Sequence, residues 1–241
     1  MSIDRKLILN ILSELLQSVV YVNALWLEGA DSLNKVDEFS DIDLWIDVND
    51  GFEDKSIKFV RQELLKIGPL DFEFETKHPH PKIRQIFFHL KDTPKYMIID
   101  MCLQSHSRDF WFTKEMEGEE AVVLFDKKNV IRFLPLNKAE FNKKLEQRKE
   151  YLLKKYQIMK IDVEKELERN DYLGALNFYL PLTRVFIDLL RIEHSPTKHE
   201  FGLKHSKRDF PENVQKTLIN VLSFNTVSDL KENLKLMDLN I

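Results

Sequence analysis

Residues 41–48 read Asp-Ile-Asp-Leu-Trp-Ile-Asp-Val, with an aliphatic side chain at every even position and an acid or tryptophan at every odd one. Successive side chains of a strand point to opposite faces, so this spacing predicts a strand with Ile42, Leu44, Ile46 and Val48 on one face. Asp41, Asp43, Trp45 and Asp47 then share the other. The aliphatic face needs a covering layer of helices. The acidic face puts Asp41 and Asp43 side by side, roughly 7 Å apart at the backbone.

The rest of the first half supplies the partners. Apolar residues at helical spacing predict a helix over residues 4–20 (Ile8, Ile11, Leu12, Leu15, Leu16, Val19) and another over 55–67, stopped by Gly68-Pro69. Strands are expected at 25–29, broken by Gly29, and at 72–76, 83–90 and 96–103. Residues 122–125 and 130–133 are expected to add a hairpin around 127–129. After Pro135 the period changes to helical: 137–170, 171–194 (with Pro181 inside), 211–222 and 227–237. The expected fold is therefore α+β: a domain over 1–135 with a mixed sheet and flanking helices, then an all-α bundle over 136–241.

Composition narrows the class. At 43% hydrophobic and 11% aromatic the 241-residue chain is globular, with room for one large domain or two modest ones. The start, MSIDRKLILNILSELLQ, intersperses charges with apolar residues, unlike a signal peptide, and no run is expected to span a bilayer. The one cysteine, Cys102, fits a reducing compartment and a small core position. A cytoplasmic protein with no membrane partner is expected. The net charge of −4 is uneven: 19 basic against 16 acidic residues from 137 onward, and 17 against 24 before. Neither half has the basic footprint of a nucleic-acid binder, so a nucleic-acid partner is not expected.

The chemistry concentrates around the acids. Asp100 sits in Tyr-Met-Ile-Ile-Asp-Met-Cys-Leu, opposite the apolar positions Met97, Ile99, Met101 and Leu103. An aspartate in such a strand is costly to bury unless paired or bound to metal. Asp41, Asp43 and Asp100 together suit Mg²⁺, which shares oxygen ligands among carboxylates, phosphates and water. Gly29, after a strand, lets backbone amides approach a phosphate. Glu73 and Glu75 read as a solvated strand face, with a base role as the alternative. His78 and His80 have no third zinc ligand nearby and read as a surface loop. The segment 195–205 reads as a helix connection, with Lys204 a candidate to touch a triphosphate.

From Gly29 to Leu44 the chain reads Gly-Ala-Asp-Ser-Leu-Asn-Lys-Val-Asp-Glu-Phe-Ser-Asp-Ile-Asp-Leu. This resembles the signature of the DNA polymerase beta-type nucleotidyltransferase superfamily: Gly-Ser, a short loop, Ser-Asp-Ile-Asp-Leu, and a third aspartate on a later strand. The layout looks most like the bacterial aminoglycoside and lincosamide adenylyltransferases, which add a C-terminal helical domain. The resemblance implies an enzyme that moves a nucleoside monophosphate, AMP from ATP, to a hydroxyl of a small-molecule acceptor of the antibiotic kind. It makes Asp41, Asp43 and Asp100 the catalytic and Mg²⁺-binding residues. It places the turn at Gly29 and Ser40 around the triphosphate; the Ala30 backbone, the Ser32 hydroxyl and Lys204 are further candidates for nucleotide contact, read from this chain's own residues. Two positions depart from the pattern: the serine after the glycine is Ala30, and a later glycine is Asn34. A non-catalytic nucleotide-binding or interaction module, and a nucleotidyltransferase acting on protein or RNA as in toxin–antitoxin systems, remain the alternatives. A homodimer is left open.

Overall fold

Asp4 accepts a hydrogen bond from the Leu7 amide at 2.8 Å and so starts the first helix, α1 (Arg5–Ser18), whose buried Ile8, Leu12 and Leu16 lie one helical turn apart. Such a stripe needs a sheet to cover, and the chain supplies one at once in β1 (Val22–Leu27). The computed structural model describes residues 3–116 and 120–241. The chain divides into two compact units, Met1–Pro135 and Leu136–Ile241.

In the first unit, β1 is followed by the short helix α2 (Gly29–Ser32), β2 (Ile42–Val48), α3 (Glu53–Ile67), β3 (Leu70–Thr76), β4 (Ile83–Leu90) and β5 (Ile99–Ser105). β6 (Phe112–Thr113), β7 (Val122–Asp126) and β8 (Phe133–Leu134) complete it. Six strands form a mixed sheet in the order β3-β4-β5-β2-β1-β7. The β2–β5 pair is parallel; the other neighbours run antiparallel. Ile42, Leu44, Ile46 and Val48 join Met101 and Leu103 in a core covered by Leu12 and Leu16 of α1 and Val60 and Leu64 of α3. The alternation of residues 42–48 is thus the alternation of the sheet: one face under helices, the other holding Asp43, Trp45 and Asp47.

Three expectations are corrected. The strand predicted from Tyr96 begins at Ile99, because turn hydrogen bonds (Met97 N to Pro94 O, 2.9 Å; Ile98 N to Tyr96 O, 2.9 Å) occupy the residues after Pro94. The hairpin around 127–129 does not form. Asp126 instead accepts from the amides of Lys128, Val130 and Ile131, which turns the chain away, and β8 pairs in parallel with β6. Asp47 shares a face with Asp43 but is fully buried.

In the second unit α4 (Lys138–Glu168) and α5 (Tyr172–His194) pack against each other, joined by three residues that include Asn170 at φ 56°. A 3₁₀ turn (Pro196–Lys198), α6 (Ser206–Asp209), α7 (Glu212–Val221) and α8 (Val227–Asp238) complete the unit. Tyr156, Leu182, Phe186, Leu218 and Leu234 lie in its core. Contrary to the sequence expectation, α5 is long and apolar enough to cross a membrane by length and composition, and it is the one such helix among the described residues. Half of its most apolar 18-residue stretch is buried inside the protein, and Asp188 and Arg191 are among the buried residues of the helix. Arg191 and Lys198 both bond the carboxylate of Asp209 at 2.9 Å, deep in the same unit. Burial alone would raise the Asp209 pKa; hydrogen bonds from Arg208, Lys198 and Arg191 outweigh it and hold the carboxyl well below the usual range.

Candidate functional site

Parallel pairing of β2 with β5 sets Asp43 directly beside Asp100, on the face away from the helices. Neighbouring strands lie about 4.8 Å apart, so the two carboxylates leave the sheet within reach of one small cation. Both are half-buried. Asp100 is oriented by Gln85 on β4, whose Nε2 donates to its two oxygens at 2.8 and 2.9 Å. Asp41 stands one residue before β2, exposed to solvent.

The acids crowd the neighbouring Cys102. Burial, then the charges of Asp100, Glu28 and Asp43, push its thiol pKa upward. Glu28, at the end of β1, therefore belongs to the same neighbourhood. Its amide donates to the Asp43 carbonyl at 3.1 Å, and its carboxylate accepts from the Trp26 indole at 2.9 Å. Glu28 and Gln85 went unsingled in the sequence because each looks like an ordinary polar residue at a strand end or on a mixed face.

Gly29 answers a steric demand. Its φ is +60°, and a Cβ built there would stand 1.9 Å from Asp43 Oδ2. The Asp43 carboxylate thus lies against the glycine backbone, where no side chain fits. Ala30 and Ser32 follow on α2, and the Ser32 hydroxyl donates to the Gly29 carbonyl at 2.9 Å. Ser40 is occupied within its own loop: its hydroxyl donates to Asp37 Oδ1 at 2.8 Å and accepts from the Asp37 amide. Hydrogen bonds from Ser40 and Phe39 hold Asp37 below the ordinary carboxylate range. Asn34 has φ 53°. Asparagine is one of the few residues that adopts this left-handed conformation readily, so it serves where the resembled pattern has glycine.

Arg5 ties this region together. Its guanidinium binds both oxygens of Asp31, donates to the Ser40 carbonyl at 3.1 Å and donates to the Asp41 carbonyl at 2.5 Å. On the other side of the acids, register carries the row from Asp100 to Phe87 on β4 and Phe74 on β3. Phe74 is 53% exposed on an edge strand. Trp45 stacks on Trp26 with ring centres 5.7 Å apart, under the Arg108 guanidinium. Asp47 is enclosed by Asn23 Nδ2, Gln104 Nε2 and His106 Nδ1, each at 2.8 Å.

The other candidates each have surroundings of their own. Glu73 and Glu75 pair with Arg61 and Arg84 on the surface. His78 and His80 lie in a loop where their ring nitrogens accept backbone amides. Lys204 belongs to the second unit; its side chain is exposed and its carbonyl accepts from Arg191. Among the described residues, no three or more His, Cys, Asp or Glu side chains stand together tightly enough to hold a metal ion. The Asp43–Asp100 pair still suits Mg²⁺, which in nucleotide sites takes one or two carboxylates and completes its shell with phosphate oxygens and water.

No protein-family model matches the sequence, and no curated protein matches it. Among solved structures, the chain is similar to a spectinomycin adenyltransferase from Enterococcus faecialis solved with ATP and spectinomycin. The match covers 96% of this chain and 86% of that one at 11% identity, with a TM-score of 0.33, too low to carry an argument.

Proposed function

We propose that the chain is a magnesium-dependent nucleotidyltransferase that moves AMP from ATP to a hydroxyl of a small-molecule acceptor, with aminoglycoside- or lincosamide-like antibiotics the class to try first. The observation that carries this reading is the Asp43–Asp100 pair on adjacent parallel strands, with Gly29 bare against the Asp43 carboxylate. Two carboxylates converging beside a side-chain-free turn suit a hard cation that arrives with phosphate oxygens.

Magnesium bound there would neutralise phosphate charge as the acceptor attacks. The chain's own residues do the rest. Asp43 and Asp100 would hold the metal-nucleotide, with Asp41, exposed just before β2, as the third acid the sequence puts forward. The segment of Gly29, Ala30, Ser32 and Ser40 lies along the phosphates. Asp100, fixed by Gln85, orients the acceptor hydroxyl and takes its proton, besides serving as a metal ligand. The attacking oxygen bonds to the α-phosphorus and pyrophosphate leaves with the electron pair of the broken bond. Alignment and charge supply most of the rate in such a transfer.

The test is transfer of label from α-labelled ATP to a panel of hydroxylated acceptors, alongside pyrophosphate release. The reading predicts magnesium-dependent transfer to at least one acceptor, abolished in Asp43→Asn and in Asp100→Asn. Magnesium-independent transfer, or activity retained in both variants, overturns it.

A further inference from the structure

We propose that Arg5 is a positioning residue for this site: it fixes the main chain that presents Asp41 and neutralises Asp31 beside the phosphate segment. The inference rests on the nucleotidyltransferase reading above.

Arg5 opens α1, far in sequence from the acids, and its side chain is only 17% exposed. A guanidinium offers five N–H groups in a rigid planar fork. Here the fork spans two separate stretches of chain. One arm, Nε and Nη2, takes the carboxylate of Asp31, itself 12% exposed; Nη1 and Nη2 take the carbonyls of Ser40 and Asp41. Residues 34–39 between these anchors are exposed. Within that loop the side-chain hydrogen bonds are local ones of Asp37, to Phe39 and Ser40. Beside the Phe39–Tyr96 ring contact at 5.4 Å and the Lys35 amide on the Ala30 carbonyl, Arg5 is the polar clamp that fastens the loop to the body of the unit, at the two residues immediately before β2 and its Asp43.

The electrostatics point the same way. Asp31 follows Gly29 by two residues and adds a negative charge to a neighbourhood that already holds Glu28, Asp43 and Asp100. Left unpaired, it would repel a triphosphate. Paired with Arg5, it becomes a neutral anchor. Lysine keeps the charge but cannot bridge three partners with one planar fork.

The experiment compares wild type, Arg5→Lys, Arg5→Met, Asp31→Asn and the Arg5→Met/Asp31→Asn double variant. Each is measured for Mg·ATP affinity by calorimetry, for thermal midpoint, and for peptide-level hydrogen exchange over residues 29–42. Arg5→Met should weaken Mg·ATP binding roughly tenfold, the order of a single lost charge interaction, and speed exchange across 29–42. Arg5→Lys should fall between. The double variant should bind Mg·ATP more tightly than Arg5→Met, because the repelling charge is gone, while exchange stays fast because the loop stays unfastened. A purely structural arginine would lower the midpoint without this charge-dependent recovery. Folded Arg5→Met with wild-type affinity overturns the positioning role, and unchanged exchange overturns the clamp even if no nucleotide binds. Wild type that binds no Mg·ATP refutes the nucleotidyltransferase reading itself.

Discussion

Replacing Gly29 by alanine should cost far more function than stability. The new Cβ would stand 1.9 Å from Asp43 Oδ2, and restoring an ordinary contact of about 3.5 Å requires the carboxylate to move by about 1.5 Å. The backbone also sits at φ +60°, where alanine costs roughly 1–2 kcal/mol relative to glycine. Gly51 provides the control: its φ is +83°, and nothing lies within 4 Å of the added methyl. Gly51→Ala therefore carries the conformational cost alone. Both variants should unfold with a loss of about 1–2 kcal/mol, and Gly29→Ala only slightly more, because an exposed turn lets the carboxylate swing aside. Their effects on the site should differ sharply. Mg²⁺ demands near-ideal geometry at about 2.1 Å, and a misplacement near 1 Å costs on the order of 100-fold in rate. Denaturant unfolding and nucleotide transfer, run on both variants, separate the two effects. Gly29→Ala with transfer equal to Gly51→Ala would falsify the placement of the Asp43 carboxylate against the turn.

Asp47→Ala should destabilise the first unit by about 2–3 kcal/mol, near 1 kcal/mol for each of two buried hydrogen bonds and less for the partly buried one to His106; urea unfolding reads this directly. Asp209→Asn should cost roughly 3 kcal/mol in the second unit, since it weakens the acceptor for Arg191 and Lys198 in a buried ion cluster. Because the folded pKa of Asp209 is depressed, its contribution is complete above the unfolded carboxyl value near 3.9 and is lost as pH falls below it. Wild type should thus lose stability below about pH 4 more steeply than Asp209→Asn, as measured by thermal unfolding across pH. Phe74→Ala and Phe87→Ala, beside Asp100 in the same row, should raise the acceptor KM about three- to tenfold, the worth of one ring contact, and leave Mg·ATP affinity unchanged.

The pattern of Ile42–Val48 was readable because a half-covered strand has no other way to satisfy period-two hydrophobicity, and the register with Ile99–Ser105 then put Asp43 beside Asp100. Helices α1, α3, α4, α5, α7 and α8 announced themselves by apolar stripes and by stops such as Gly68-Pro69. What the sequence concealed was non-local. Nothing in residues 122–134 marks Asp126 as a side-chain hub that bends the chain away from a hairpin. Asp47 looked as open as Asp43, because its burial depends on Asn23, Gln104 and His106 from elsewhere in the chain. Arg5 gave no signal at all: an arginine in a first helical turn is ordinary until Asp31, 26 residues later, and the far end of the loop beyond it are seen to close on it. The length of α5 showed the opposite fault, a helix apolar enough for a membrane whose sequence alone cannot say which face is buried.

The most direct measurement is calorimetric titration of Mg·ATP into wild type, Asp43→Asn and Asp100→Asn, with ATP alone as the reference. The account predicts binding by wild type that depends on magnesium and is lost in Asp43→Asn and Asp100→Asn alike, with all three proteins folded by circular dichroism. Equal binding with and without magnesium, or binding that survives in both variants, would contradict it.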